Sequence, residues 1–139
     1  MKNIIIFGGS GFIGLHFINH LLINKNFNFI YSIDIEEPVD VFRKRQLTKL
    51  KKNKKIIFIK KDIKESLLDL NINDVDLIVD FAAIHKEPGH NEKEYFDTNV
   101  NGSKNICEFA ISVNCRNIIF TSSISVYGIG DHEKGEYTK

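Results

Sequence analysis

Short, continuous apolar runs alternate along this chain with longer stretches in which apolar residues recur at helical spacing. Ile4-Ile5-Ile6-Phe7, Ile56-Ile57-Phe58-Ile59 and Leu77-Ile78-Val79 have no polar partner at every second position. They therefore read as strands buried on both faces of a parallel sheet. With their flanks they predict strands over 2–7, 28–34, 56–60, 75–80 and 116–121. Helices are predicted over 12–24, 38–53, 63–70 and 92–113. In the first, Phe12, Ile13, Phe17, Ile18, Leu21 and Leu22 form a stripe able to cover a sheet face, and Val100, Ile106, Phe109, Ala110 and Val113 do so in the last. Strand–helix alternation with right-handed crossovers predicts an α/β domain, a doubly wound parallel sheet ordered 3-2-1-4-5. No internal repeat, low-complexity linker or second domain interrupts the 139 residues.

Composition changes little in that picture. Apolar content of 42% and charged content of 27% describe an ordinary globular chain, and a net charge of +1 gives no bias toward nucleic acid or an anionic membrane. The basic run Lys49, Lys51, Lys52, Lys54 and Lys55 closes the second helix, where cations favour the helix dipole. No apolar segment reaches the roughly 18 residues that span a bilayer, and the N-terminus does not read as a signal peptide. Cys107 and Cys115 are expected to be reduced, packed thiols, consistent with a cytoplasmic protein.

The chemistry begins at the end of the first strand. Gly8-Gly9-Ser10-Gly11-Phe12-Ile13-Gly14 marks a tight strand-to-helix turn, and Asp34 follows Gly14 by twenty residues at the end of the second strand. Such a turn lets backbone approach a pyrophosphate whose charge is met by amides at the helix N-terminus. An acid closing the second strand is placed to accept from adenosine ribose hydroxyls. The pattern is a dinucleotide site. Its spacing, G-x-x-G-x-x-G, resembles the extended short-chain dehydrogenase/reductase superfamily, the branch of NAD-dependent epimerases and dehydratases that modify sugar nucleotides. The resemblance implies a Rossmann-type domain and NAD as cofactor, with Gly8, Gly11, Phe12, Ile13, Gly14 and Asp34 among its contacts. Asp34 favours NAD over NADP, since its charge would repel a 2′-phosphate.

Four further stretches extend the match to about residue 128. Asp62-Ile63 follows the third strand, where the family contacts adenine; by residue type alone Asp62 equally reads as a helix N-cap. The fourth strand closes on Ala82-Ala83, small residues of the kind the family keeps beside the cofactor, with Asp80 where many relatives carry His. Asn99-Val100-Asn101-Gly102-Ser103-Lys104-Asn105 resembles the family's N-x-x-G-T-x-N, which implies that Asn99 faces the nicotinamide region. Spacing alone would allow an ordinary polar helix face. Gly102 inside a helix costs about 1 kcal/mol relative to Ala, so a close-packing reason is expected. Finally, Thr121-Ser122-Ser123-Ile124-Ser125-Val126-Tyr127-Gly128 resembles the family's S-S-x-x-V-Y-G exit. That match implies Ser123 as the catalytic hydroxyl, hydrogen-bonding the substrate oxygen, and Ser122 as a cofactor contact; without it, three hydroxyls after a strand would read as a turn.

The family's reaction also uses Y-x-x-x-K, whose spacing puts both side chains on one helix face so that the ammonium lowers the tyrosine pKa. Tyr137-Thr138-Lys139 does not reproduce that spacing. The chain is therefore expected to be the cofactor-binding front part of such an enzyme, lacking the last strands and the substrate domain, and inactive by itself. The alternatives are a catalytically silent NAD-binding module and a truncated remnant. A nucleotide sugar is the expected substrate, and because relatives commonly dimerise through helices of this domain, the resemblance points to a homodimer. His16 and His20 stand at i and i+4 without the Glu of H-E-x-x-H, so no metal is expected. His85, Glu87, His90 and Glu92 follow the fourth strand, where relatives shape the substrate pocket.

Overall fold

The computed structural model describes residues 2–24, 26–85 and 89–127. Five strands, β1 (Asn3–Phe7), β2 (Ile30–Asp34), β3 (Ile56–Lys60), β4 (Val75–Asp80) and β5 (Ile118–Phe120), form one parallel sheet ordered β3-β2-β1-β4-β5. This is the expected order. Ile5 pairs with both Tyr31 and Ile78, so β1 lies at the centre with its backbone donors and acceptors paired on both sides.

The pleat of β1 separates two cores. Ile5 and Phe7 face one side with Ile33, Ile78, Ile106 and Phe109, while Ile4 and Ile6 face the other with Leu15, Ile18, Leu47 and Leu50. The second face is covered by helices α1 (Phe12–Asn24) and α2 (Val41–Leu50). The first is covered by α4 (Ser103–Ser112), which runs on from α3 (Glu92–Tyr95) and a π-helical segment over Phe96–Gly102. No helix among the described residues is long and apolar enough to cross a membrane.

Three expectations are corrected. The helix expected over 63–70 is absent. Asp62 Oδ1 accepts from the Lys64 amide at 2.9 Å as a cap would, but Ser66 Oγ takes the Leu68 amide at 3.4 Å, a donor that a helix would send to the Lys64 carbonyl. Two turns replace it, anchored in the core by Ile63 and Leu67. Helix α2 starts later than expected because Asp40 caps it: Asp40 Oδ1 accepts from the Arg43 amide at 2.9 Å. The buried stripe of α1 begins at Leu15, leaving Phe12 and Ile13 exposed at the mouth of the glycine turn.

Strand β5 pairs with β4 and, among the described residues, with nothing else. Ile118, Ile119 and Phe120 alternate between the sheet faces, yet all three are exposed, Phe120 to 58%. An open apolar edge favours association with other chains. Phe120→Lys is expected to reduce concentration-dependent association of the 139-residue chain in light scattering. Equal association of the two proteins would show that this edge is not the contact.

Candidate dinucleotide site

The site is built where β1 and β4 diverge, the point at which the chain turns outward to opposite ends of the sheet. Gly8 leaves β1 with φ +73°, a conformation that L side chains rarely adopt. A Cβ there would stand 2.7 Å from the Ala82 amide nitrogen and 2.7 Å from the Phe81 carbonyl carbon. Gly14, in the first turn of α1, is as constrained, since its Cβ would lie 2.4 Å from the Gly8 carbonyl oxygen and 2.7 Å from Gly9 Cα. Gly11 donates to that carbonyl at 3.1 Å and has more room. The glycines thus let three backbone segments, the turn, the start of α1 and the exit of β4, meet without side chains between them.

Asp34 completes this cradle from β2. Its Oδ2 accepts from the Ser10 amide at 2.9 Å and its Oδ1 from the Ile35 amide at 2.9 Å, so the carboxylate ties the glycine turn to the neighbouring strand. Burial raises its pKa above the ordinary carboxylate value, opposed by those backbone donors. Each carboxylate oxygen has a second lone pair, so both remain able to accept from a ligand hydroxyl. A backbone cradle at a helix N-terminus beside such an acceptor fits the diphosphate and ribose of a dinucleotide.

The other sequence-predicted residues fall around the same sheet edge, with different surroundings. Ala82 is half-buried against Gly8 and Ala83 is exposed beside it. Asn99 holds the segment that follows them: its Oδ1 accepts from the Ile84 amide at 2.8 Å and its Nδ2 donates to the Ile84 carbonyl at 2.9 Å. Asp62 is engaged in its own turn and lies 3.4 Å from Lys64 Nζ. Ile63 points into the core, 4% exposed, and its Cδ1 would stand 2.6 Å from a Cβ on Gly102. That is the packing reason expected for a glycine inside the helix. Asn105 reinforces the contact, donating from Nδ2 to the Ile63 carbonyl at 2.7 Å and the Glu65 carbonyl at 3.1 Å.

Ser122 and Ser123 are exposed beyond β5, and the Ser123 carbonyl accepts from the Val126 amide at 3.3 Å in the short 3-10 turn Ile124–Tyr127. Gly128, Glu87, Tyr137 and Lys139 lie outside the described residues. His16 packs edge-on against Phe12, and His90 Nδ1 lies 3.5 Å from Glu94. Among the described residues no three His, Cys, Asp or Glu side chains cluster as metal ligands. Cys115 is buried and Cys107 is exposed on α4, both as free thiols, so only one of the two is packed as expected.

One participant carried no role in the sequence reading. Asp80, at the end of β4, is 2% exposed; its Oδ1 accepts from the Ala82 amide at 3.0 Å and its Oδ2 lies 3.4 Å from Ser103 Oγ. Burial raises its pKa, and its two hydrogen bonds offset that only in part. The folded state therefore binds this proton more readily than the unfolded chain does. Stability must fall as pH rises from the unfolded pKa through the folded one, and the penalty persists at neutral pH. Asp80→Asn keeps the shape without the charge. It is expected to raise stability at pH 7, with the gap from wild type closing on acidification toward pH ~4. Urea denaturation across that range checks it, and a gap that widens on acidification would refute it.

Comparison with known proteins places this arrangement. The model of the 3-beta hydroxysteroid dehydrogenase/isomerase family matches residues 5–137. The chain belongs to this family. Among its relatives, the bifunctional UDP-glucose 4-epimerase and UDP-xylose 4-epimerase 3 of Arabidopsis thaliana is 33% identical over 135 residues, covering 91% of this chain and 38% of the plant protein. A UDP-glucose 4-epimerase of Neisseria meningitidis serogroup A is 32% identical, covering 100% of this chain and 41% of its own. Among solved structures, UDP-glucuronic acid 4-epimerase from Bacillus cereus, in complex with UDP-glucuronic acid and NAD, superposes with a TM-score of 0.79 at 26% identity. That match covers 93% of this chain and 42% of the bacterial one. DesIV, a dTDP-glucose 4,6-dehydratase from Streptomyces venezuelae, shares the fold with a TM-score of 0.76 at 24% identity, over 93% of this chain and 42% of its own. The chain thus spans about two fifths of the length of these relatives.

Proposed function

We propose that this chain is the cofactor-binding part of an NAD-dependent epimerase, dehydratase or reductase of nucleotide sugars. The observation that carries the reading is the meeting of the Gly8–Gly14 turn with Asp34 at the point where β1 and β4 part. The family relationship and the NAD-bound epimerase structure support it. Bound NAD would supply reversible hydride acceptance from a sugar carbon, the chemistry that no side chain offers.

The protein's own residues would do the rest. Gly8, Gly11 and Gly14 leave room for the diphosphate against the backbone amides at the start of α1, including those of Phe12 and Ile13. Asp34 accepts from the adenosine ribose, and its charge disfavours a 2′-phosphate. Asp62 and Ile63 lie on the adenine side; since the Ile63 side chain is core, its backbone is what it can offer there. Ala82 and Ala83 keep the path beside the diphosphate clear, and Asn99 holds the loop that follows them toward the nicotinamide. Ser122 stands on the cofactor side of the β5 exit, and Ser123 hydrogen-bonds the sugar oxygen that loses and regains its proton.

A tyrosine and lysine at the family spacing are missing from these 139 residues. Calorimetric titration of the chain with NAD is expected to show saturable binding, and incubation with a UDP-hexose is expected to give no epimer. Absence of NAD binding would overturn the reading. Turnover by the chain alone would overturn the need for that pair. A dinucleotide-binding module without catalysis is the second reading, and a homodimer through α-helices of this domain is compatible with both.

A further inference from the structure

Asp80 is a buried carboxylate for which the proposed chemistry has no use. It sits at a crossing of four elements: it pairs with Phe7 of β1 and Phe120 of β5, belongs to β4, and reaches Ser103 at the start of α4. Its carboxylate holds the Ala82 amide, the same nitrogen that stands 2.7 Å from where a Gly8 Cβ would be. Two residues on, Asn99 grips Ile84 by both its amide and its carbonyl. Ser103 joins the two grips, with its hydroxyl 2.9 Å from the Asn99 carbonyl and 3.4 Å from Asp80 Oδ2. The backbone leaving β4, which forms one wall of the glycine cradle, is thus clamped at both ends through one connected set of side chains.

We propose that Asp80 is a positioning residue for dinucleotide binding, acting through Ala82 and Ser103 to set the wall of the cradle that faces Gly8. This rests on the NAD-binding reading above. The clamp needs an acceptor toward Ala82 and a side chain of fixed shape; it does not need the negative charge. Ser103 has one proton, which the Asn99 carbonyl at 2.9 Å and Asp80 Oδ2 at 3.4 Å share. A side chain of the same shape at position 80 that donates to Ser103 Oγ keeps the link, with the Ser103 proton left wholly to the Asn99 carbonyl. An asparagine does this, with Oδ1 toward the Ala82 amide and Nδ2 toward Ser103. An alanine does neither, and it frees the Ala82 amide in a half-buried place.

The test is calorimetric titration of the 139-residue chain with NAD in wild type, Asp80→Ala, Asp80→Asn, Ser103→Ala and the Asp80→Ala/Ser103→Ala double variant. Asp80→Ala is expected to weaken NAD binding about tenfold, and Asp80→Asn to restore it to within about threefold of wild type. Ser103→Ala should cost about threefold, and the double variant no more than Asp80→Ala alone, because both substitutions break one connected clamp. A residue serving only general stability would not give this pattern, since restoration by Asn and non-additivity with Ser103 are specific to the clamp. Equal affinity of Asp80→Ala and wild type would overturn the proposal, as would an Asp80→Asn variant as weak as Asp80→Ala. Should Asp80→Ala not fold, Asp80→Asn and Ser103→Ala carry the decision: affinity near wild type for the first with a loss in the second supports the clamp. No loss in Ser103→Ala overturns it. A wild-type chain that binds no NAD overturns the NAD-binding reading itself, a different outcome from unchanged affinity in the variants.

Discussion

Gly14→Ala is expected to destabilise the fold by about 2–4 kcal/mol, a large share of the roughly 5–15 kcal/mol that holds a domain of this size together. The added methyl would stand 2.4 Å from the Gly8 carbonyl oxygen, 2.7 Å from Gly9 Cα and 2.9 Å from its carbonyl carbon. None of these is the end of a side chain that can swing aside. Relief requires the start of α1 to lift away from the turn, which would disturb Leu15 and Ile18, both fully buried against the sheet. Better helix propensity of Ala recovers about 1 kcal/mol at most. Gly8→Ala should also be costly, because strain at φ +73° adds to contacts at 2.7 Å with Ala82 and Phe81. Gly11→Ala meets one atom, the Gly8 carbonyl oxygen at 3.1 Å, and should cost under about 1 kcal/mol. Urea denaturation of the three variants checks the ranking. Equal midpoints for Gly14→Ala and Gly11→Ala would mean that the helix does not lie against the turn as described.

The same contrast explains what could be read from the sequence. Strands β1 and β4 were legible because burial on both faces demands apolar runs, β3 because its run is apolar throughout, and the turn after β1 because Gly8 at φ +73° and tightly packed Gly14 call for glycine. Asp34 was legible by its distance from that turn. Less legible were features set by which side chain reaches which backbone group. Ser66 turns 63–70 away from a helix through its bond to the amide two residues on, and apolar spacing does not record such a bond. The exposure of Phe12 and Ile13 follows from where α1 meets the turn, because the helix is buried only from Gly14 onward. Ile63 filling the gap at Gly102 joins positions thirty-nine apart, and the only trace in the sequence was a glycine placed where a helix should resist it. The π-helical widening over Phe96–Gly102 had no sequence signal in advance. Asp80 did have one, an acid where relatives carry His, but its meaning depends on Ser103 and Ala82, which only the fold brings to it.

Asp34→Ala is expected to weaken NAD binding roughly a hundredfold, the largest effect of any single side chain in the proposed site. Two losses combine. The acceptor offered to the ribose hydroxyls disappears, and the Ser10 amide, now bonded to Oδ2 at 2.9 Å in a buried turn, loses its partner. The turn would then be free to shift exactly where the diphosphate must lie. Removing the charge also removes repulsion of a 2′-phosphate, so the ratio of NAD to NADP affinity should move toward one even as both fall in absolute terms. The wild-type protein adds a pH signature. Because burial raises the Asp34 pKa, protonation on acidification removes the ribose acceptor at a higher pH than an ordinary surface carboxylate would. NAD affinity should therefore decline as pH falls toward that range, while the residual affinity of Asp34→Ala should lack this step. Titration with NAD and NADP across pH for both proteins measures all three effects. An Asp34→Ala variant that binds NAD like wild type, with the same preference over NADP, would remove Asp34 from the site and with it the main support for a ribose at that position.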